Sequence, residues 1–169
     1  SDFGGSYDIY VQKLNMEGVP QWEAPILAIE MENAEIVRNA IPLLGGGVIF
    51  AFESLGLNRV LAQAINGDGL RPDGWNEEPI ILGDVIGEHI EQYIESSLAT
   101  PYGMFVIWKD TRNGSADLYG QLLSFEGAIL GLASGILITD AIADQQEVTM
   151  TFNVENDEVF ICWEDFQNG

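Results

Sequence analysis

The chain has 169 residues, of which 47% are hydrophobic, which suits one domain with a sizeable core and argues against disorder. Its 27 acidic residues outnumber 6 lysines and arginines, and the net charge of −21 excludes nucleic acid and anionic membranes as expected partners. The most apolar stretch, Gly127–Ala143, is too short for a membrane span. We therefore expect a single domain over residues 1–169.

A short segment that ends in glycine occurs three times along the chain. It reads DIYVQKLNMEG at Asp8–Gly18, RVLAQAINGDG at Arg59–Gly69 and DLYGQLLSFEG at Asp117–Gly127. The fifth residue is glutamine in every copy, at Gln12, Gln63 and Gln121. Alternating apolar and polar residues before a polar, Gly-ended turn predict a strand and its turn.

Three further segments recur between these copies. The first is an apolar strand with an aromatic fifth residue, at Val48–Ser54, Met104–Asp110 and Val159–Asp165. The second lies at Pro25–Glu30, Pro79–Asp84 and Gly135–Asp140, and the third, which is looser, at Ala34–Leu44, Glu88–Ala99 and Gln145–Val154. A period of about 56 residues with four strands suits one propeller blade. Helical periodicity stays an alternative at Ala34–Leu44 and at Ile86–Leu98.

The sequence thus predicts an all-β fold of about three four-stranded antiparallel repeats, β-propeller-like, with a three-fold β-trefoil or prism as the alternative. The copies cover about 8–54, 59–110 and 117–165. Propellers typically have four to eight blades, so three repeats favour a multi-chain ring, a head-to-tail assembly or part of a longer protein.

The motif WEDxxNG, followed by DIYxQ and a turn to glycine, resembles repeats of secreted proteins of Bacteroidetes-like bacteria. Many of those proteins are type IX secretion substrates with β-propeller-like repeats. The matching residues are Trp163, Glu164, Asp165, Asn168, Gly169, Trp108, Asp110, Asn113, Gly114, Asp117, Tyr119, Gln121, Asp8, Tyr10, Gln12, Gly18 and Trp22. The middle copy departs from the motif at Phe52, Ser54, Arg59 and Leu61. The resemblance implies a fold and a secreted or cell-surface location, but no catalytic residue.

The same motif is divided between the two ends of the chain, because WEDFQNG followed by SDFGGSYDIYVQ reads like the internal WKDTRNGSADLYGQ. We expect the last strand to pair with a first strand of the same chain, of another copy or of a neighbouring repeat. The predicted assembly residues are Asp8, Ile9, Tyr10, Val11, Gln12, Phe160, Ile161, Cys162 and Trp163. Cys162, the single cysteine, is expected to be a small buried hydrophobe.

Two acidic loops are candidate binding sites. Asn66, Asp68, Asp73 and Trp75 form a candidate ligand site, with Trp75 as the sugar contact of a lectin-like domain. Calcium, which prefers oxygen ligands, is the cofactor considered at Asp110, Asn113, Asp117, Asp165, Asn168 and Asp8. The alternative is that these side chains bond the backbone of their own turns.

No catalytic set emerges from the sequence. His89 is the single histidine, and no GxSxG motif accompanies it. A glycoside hydrolase needs a carboxylate pair, and this stays the least favoured alternative. We predict a non-catalytic extracellular structural or adhesive module that assembles by strand pairing, with carbohydrate binding second.

Overall fold

The computed structural model describes residues 7–85, 90–140 and 145–166. These residues form twelve strands and no helix, so the predicted all-β class is confirmed. The strands are β1 (Ile9–Val11), β2 (Ile26–Ile29), β3 (Glu35–Leu43), β4 (Gly47–Ser54), β5 (Arg59–Ile65), β6 (Ile80–Ile81), β7 (Gln92–Thr100), β8 (Gly103–Asp110), β9 (Asp117–Ser124), β10 (Ile136–Thr139), β11 (Gln145–Asn153) and β12 (Glu158–Asp165).

The strands make four antiparallel sheets, which we name in chain order. Sheet I is β1-β2, sheet II is β3-β4-β5-β6, sheet III is β7-β8-β9-β10 and sheet IV is β11-β12. Within the described residues the sheets stay open, and no closed barrel of the kind that a β-trefoil needs is formed. In sheets II and III each strand pairs with the next one in sequence, as antiparallel strands joined by short turns readily do.

The turn that closes each Gly-ended segment has the same hydrogen bonds in all three copies. The side-chain oxygen of Asn15 accepts from the amides of Glu17 and Val19. The side-chain oxygens of Asn66 and Ser124 likewise accept from the main-chain amides two and four residues later in the chain. Gly18, Gly69 and Gly127 then take φ of +79°, +82° and +81°, which favours glycine. The three copies therefore share one local conformation.

The glutamine of each copy also has one structural role. Gln12, Gln63 and Gln121 each accept a hydrogen bond from the main-chain amide of the following residue. The amide group of each side chain donates to a carbonyl of the loop that follows, at Trp22, Asn76 and Leu132 respectively. Because buried polar groups need such partners, the repeated glutamine ties each strand to its loop.

The sheets stack in chain order. A core that includes Phe50, Phe52 and Ile9 fills the space between sheets I and II. A second core that includes Ala51 and Trp108 lies between sheets II and III. Strand β11 of sheet IV then lies against β7 of sheet III. Alternate side chains of one strand face opposite neighbours, so each internal sheet is covered on both faces.

Two indole groups link consecutive sheets in the same way. Trp22, which follows β1 of sheet I, donates from Nε1 to the carbonyl of Gly67 in the turn of sheet II, at 3.1 Å. Trp75, after β5 of sheet II, donates to the carbonyl of Phe125 in the turn of sheet III, at 2.9 Å. The step from sheet I to sheet II is therefore repeated from sheet II to sheet III.

The helical alternatives are wrong where the structure describes them. Glu35–Leu43 is a strand, as the repeat register predicts, and so is Gln92–Thr100. Pairing to a neighbouring strand and burial between sheets override the local helical periodicity of these segments. His89, within the second helical alternative, lies outside the described residues.

We expect Trp108→Ala to lower the free energy of unfolding by about 3–5 kcal/mol, because the ring is fully buried. Trp163→Ala is the matched control, since its ring is 38% exposed, and we expect it to cost less than half as much in dilute solution. Urea unfolding followed by circular dichroism measures both, and equal losses would contradict the described packing.

Candidate functional site

Strand β1 of sheet I and strand β12 of sheet IV each have one unpaired edge in the described parts of the chain. Strands β4 and β8 each pair with a strand on both sides. Strand β12, which matches them in sequence, pairs only with β11, and β1 pairs only with β2. An edge strand presents a row of main-chain donors and acceptors that can pair with another strand.

The side chains of β12 are exposed where those of its sequence equivalents are buried. Phe52 and Trp108 have 0% exposure, whereas Trp163 at the matching position has 38%. On the other face of the strand, Phe160 is 54% exposed, and Cys162 is exposed although its equivalent Ile107 is fully buried. The prediction that Cys162 is buried is therefore wrong, because the described chain provides no cover for that face.

The direction of each face follows from the internal sheets. Trp108 and Val106 belong to the core between sheets III and II, whereas Ile107 between them points to the opposite side. By the same alternation, Trp163 faces sheet III, and Phe160 and Cys162 face away from it. This outward face lacks a neighbouring sheet among the described residues.

Strand β1 also has one unpaired edge and one exposed face. Its Ile9 is buried against sheet II, but Tyr10 is 59% exposed. The equivalent of Tyr10 in sheet III is Tyr119, which is 6% exposed and stacks on Trp108 with ring centroids 6.4 Å apart. The predicted assembly residues of β1 and β12 thus lie on two separate open edges, and the structure does not bring them together within one chain.

The carboxylates of the internal turn are satisfied by their own chain. The fully buried Asp110 accepts hydrogen bonds from Gln92 at 2.8 Å and from the main-chain amide of Arg112 at 2.9 Å, and its carboxylate pairs with the Arg112 guanidinium. Burial alone would raise the pKa of Asp110, but the bonds from Arg112 and Gln92 outweigh it and hold the pKa below its usual value. Asp117 accepts from Asn113 at 2.8 Å and from Ser115 at 3.0 Å.

These bonds have the form expected if the side chains support their own turn. In the described part of the chain, no three His, Cys, Asp or Glu residues are grouped as metal ligands. Asp8 is half-buried, Asp165 is exposed on β12, and Asn168 lies outside the described residues. Calcium binding stays a prediction.

The loop over residues 66–75 divides into a turn and a core contact. Asn66 caps its own turn, and Asp68 and Asp73 are exposed. Trp75 is 5% exposed, belongs to the core between sheets II and III and bonds Phe125. The ring of Trp75 is thus used for packing in this structure, and ligand binding by the loop stays a prediction.

A buried acidic residue beside β1 was missed by the sequence analysis. Glu35 is 5% exposed, and its carboxylate oxygens have no hydrogen-bond partner in the described chain. Burial raises the pKa of Glu35, and the nearby charge of Asp8 raises it further. The matching residue in sheet III is Gln92, which accepts from the amide of Val60 and donates to the carbonyl of Gly83. The available sequence signal for this polar position was the glutamine that begins both β7 and β11.

No helix of the described residues has the length and apolarity that a membrane crossing requires.

A cleft of about 310 Å³ lies between β2 and the loop at 71–79. The guanidinium of Arg71 lines it but donates to the carbonyls of Ala28 and Ala64. Because Ala28 lies on β2 and Ala64 on β5, the Arg71 side chain joins sheet I to sheet II.

We expect Arg112→Gln to cost about 3–5 kcal/mol, because it leaves the buried Asp110 carboxylate without its charged partner. The lowered pKa of Asp110 means that this ion pair stabilises the fold above the unfolded pKa and is lost as pH falls. Chemical unfolding across pH 3–7 measures the loss. The double variant Asp110→Asn/Arg112→Gln is the control and should recover part of the loss; no recovery would contradict this assignment.

We expect Glu35→Gln to raise the free energy of unfolding at pH 7 by about 1 kcal/mol, because an amide replaces an unpaired buried carboxylate. A raised folded-state pKa favours the protonated form, so wild-type stability is greatest below the unfolded pKa and is lost as pH rises through the folded pKa. The gain should therefore shrink towards pH 4 in thermal melts. The exposed Glu17→Gln has the same charge change and should show no such trend; a pH-independent gain would refute this explanation.

Comparison with known proteins gives no relative for this chain: no family model, curated protein or solved structure matches it.

Proposed function

We propose that this chain is a non-catalytic structural or adhesive β-repeat module, secreted or at the cell surface, that assembles by strand pairing. In this proposal the open edge of β12 binds the open edge of β1 from a neighbour. Sheet IV and the neighbour's sheet I then become the two halves of one four-stranded sheet.

The observation that carries the proposal is the exposure of β12. An edge strand with Phe160 and Trp163 on its two faces, 54% and 38% exposed, is unprotected against pairing. Strand addition gives affinity through main-chain hydrogen bonds and specificity through alternate side chains. Because β1 repeats the sequence of β9, which occupies this place beside β8, it is the strand that fits.

The finer architecture that we propose is propeller-like. Sheets II and III are two complete blades, and sheets IV and I are the inner and outer halves of a third. The equal turns, glutamine contacts and indole links of successive sheets support this arrangement. The resemblance to secreted repeat proteins supports the extracellular location.

Charge sets the conditions under which such assembly is strong. Each chain carries a net charge of −21, so two chains repel one another at low ionic strength. Asp165 at the end of β12 and Asp8 beside β1 would approach one another when the strands pair. Salt screens such repulsion, and calcium is the divalent cation that we propose for these carboxylates.

Light scattering on the purified chain tests the proposal, because we expect a mass above that of one chain which increases with protein concentration and with salt. A synthetic peptide of residues 7–14, YDIYVQKL, should bind the open edge of β12 and reduce that mass. The same peptide with Val11→Pro is the control, since proline lacks a main-chain donor and resists strand pairing.

A chain that stays monomeric at every concentration and salt level would overturn the proposed function. So would assembly that the two peptides affect equally, because pairing at the edge of β12 would then not hold the copies together.

A further inference from the structure

We infer that two copies of this chain close a ring of six four-stranded sheets, in which Cys162 of each copy lies opposite Val11 of the other. The inference rests on the proposed function and adds the partner, the register and the number of copies. It is derived from the internal sheets, which already contain the same pair of strands.

The register follows from the pairing of β8 with β9 and of β4 with β5. Trp108 lies opposite Tyr119 and Ile107 opposite Gly120 in sheet III. The equivalent pairs in sheet II are Phe52 with Leu61 and Ala51 with Ala62. Transferring these positions places Trp163 opposite Tyr10, and Cys162 opposite Val11. A slip by one residue would turn every side chain to the wrong face.

The faces agree with this register. Trp163 faces sheet III of its own chain, and Tyr10 would extend that face in the way that Tyr119 extends the face of Trp108. Cys162 points away from sheet III, and Val11 packs with the core on sheet II of the other copy. The combined sheet is therefore covered on one face by sheet III and on the other by the second copy's sheet II.

A second copy is the occupant that the geometry favours. Within one chain, sheet I packs on sheet II and sheet IV packs beside sheet III, so two complete sheets separate the open edges. The described residues contain no pairing between β1 and β12. A neighbouring copy brings its own β1 and β2 without disturbing either internal core.

The number of copies follows from closure. The twelve described strands of one copy would fill three four-stranded sheets, so a closed ring of two copies would have six. Propellers typically have four to eight blades, and rings of one or three such copies, with three or nine blades, would fall outside that typical range. Head-to-tail contacts close into a ring when the rotation permits and otherwise form filaments. Two copies of this chain give a closed ring within the typical range.

The native cysteine provides a direct probe. In the variant Val11→Cys, the two thiols of each junction face one another across the strand pair, where directly opposite Cα atoms lie about 4.5–5.5 Å apart, within the range that disulfides span. Such positions suit a disulfide, whereas residues displaced by two along the strand are about 7–8 Å away. Tyr10→Cys and Lys13→Cys are the matched controls. Residue 10 lies next to Val11 and faces the other side of the sheet, whereas residue 13 faces the same side but lies two residues further along the strand.

The experiment oxidises each variant with copper phenanthroline under assembling conditions and then measures covalent mass and free thiols. For Val11→Cys we expect a covalent product of twice the 18.5 kDa chain mass with no free thiol remaining, and little product in the controls. A ladder of trimers and larger products would show an open filament and overturn the closed pair. A monomer that loses its thiols would show closure within one chain and also overturn the inference.

Wild-type light scattering separates these outcomes from the proposed function. If the wild type assembles but Val11→Cys does not cross-link, the register is wrong while strand-pairing assembly stands. If the wild type never assembles, the proposed function itself fails. Should Val11→Cys fold poorly, Phe160→Cys/Lys13→Cys with Cys162→Ser tests the same register, since Phe160 and Lys13 match the internal pair Phe105 and Leu122. Its failure to cross-link in an assembled sample would also reject the register.

Discussion

The main-chain hydrogen bonds of β4, β8 and β12 are the constraint on which the rest of the structure depends. A central strand must pair on both edges and be covered on both faces, because unpaired polar groups and exposed aromatic rings are costly. Strands β4 and β8 meet both requirements, and their aromatic residues Phe52 and Trp108 are fully buried. Strand β12 has the same type of sequence but meets neither requirement in the described chain. The proposed assembly is the arrangement that completes it.

The supporting contacts recur along the chain. In all three copies a glutamine on the strand bonds the following loop and an Asn or Ser closes the turn, and in the first two copies an indole donates to the turn of the next sheet. These bonds are local or reach only the adjacent sheet, as is typical of repeat proteins whose units contact only their neighbours. Such a structure can be continued by another copy, since the contacts needed at the junction are already present between its own sheets.

The sequence predicted the strands well, because alternation and the repeat carry local information about which residues pair and turn. It did not predict the exposure of Cys162 or Trp163, since burial depends on whether a neighbouring sheet is present and not on the strand itself. Trp75 illustrates the reverse case: a loop position suggested a ligand contact, but the ring fills a space between two sheets. Glu35 was missed although Gln92 and Gln145 occupy matching positions, because only the fold reveals that this place is buried.

Hydrogen–deuterium exchange over a range of protein concentrations tests most directly whether β12 is completed by a strand of another molecule. Protection of backbone amides reports pairing and burial residue by residue. The account predicts that the amides of β12 exchange quickly in dilute solution. As the concentration rises, β12 should become as protected as β4 and β8, and β1 should gain protection at the same time. Fast exchange of β12 at all concentrations, in a sample whose internal sheets are protected, would contradict it.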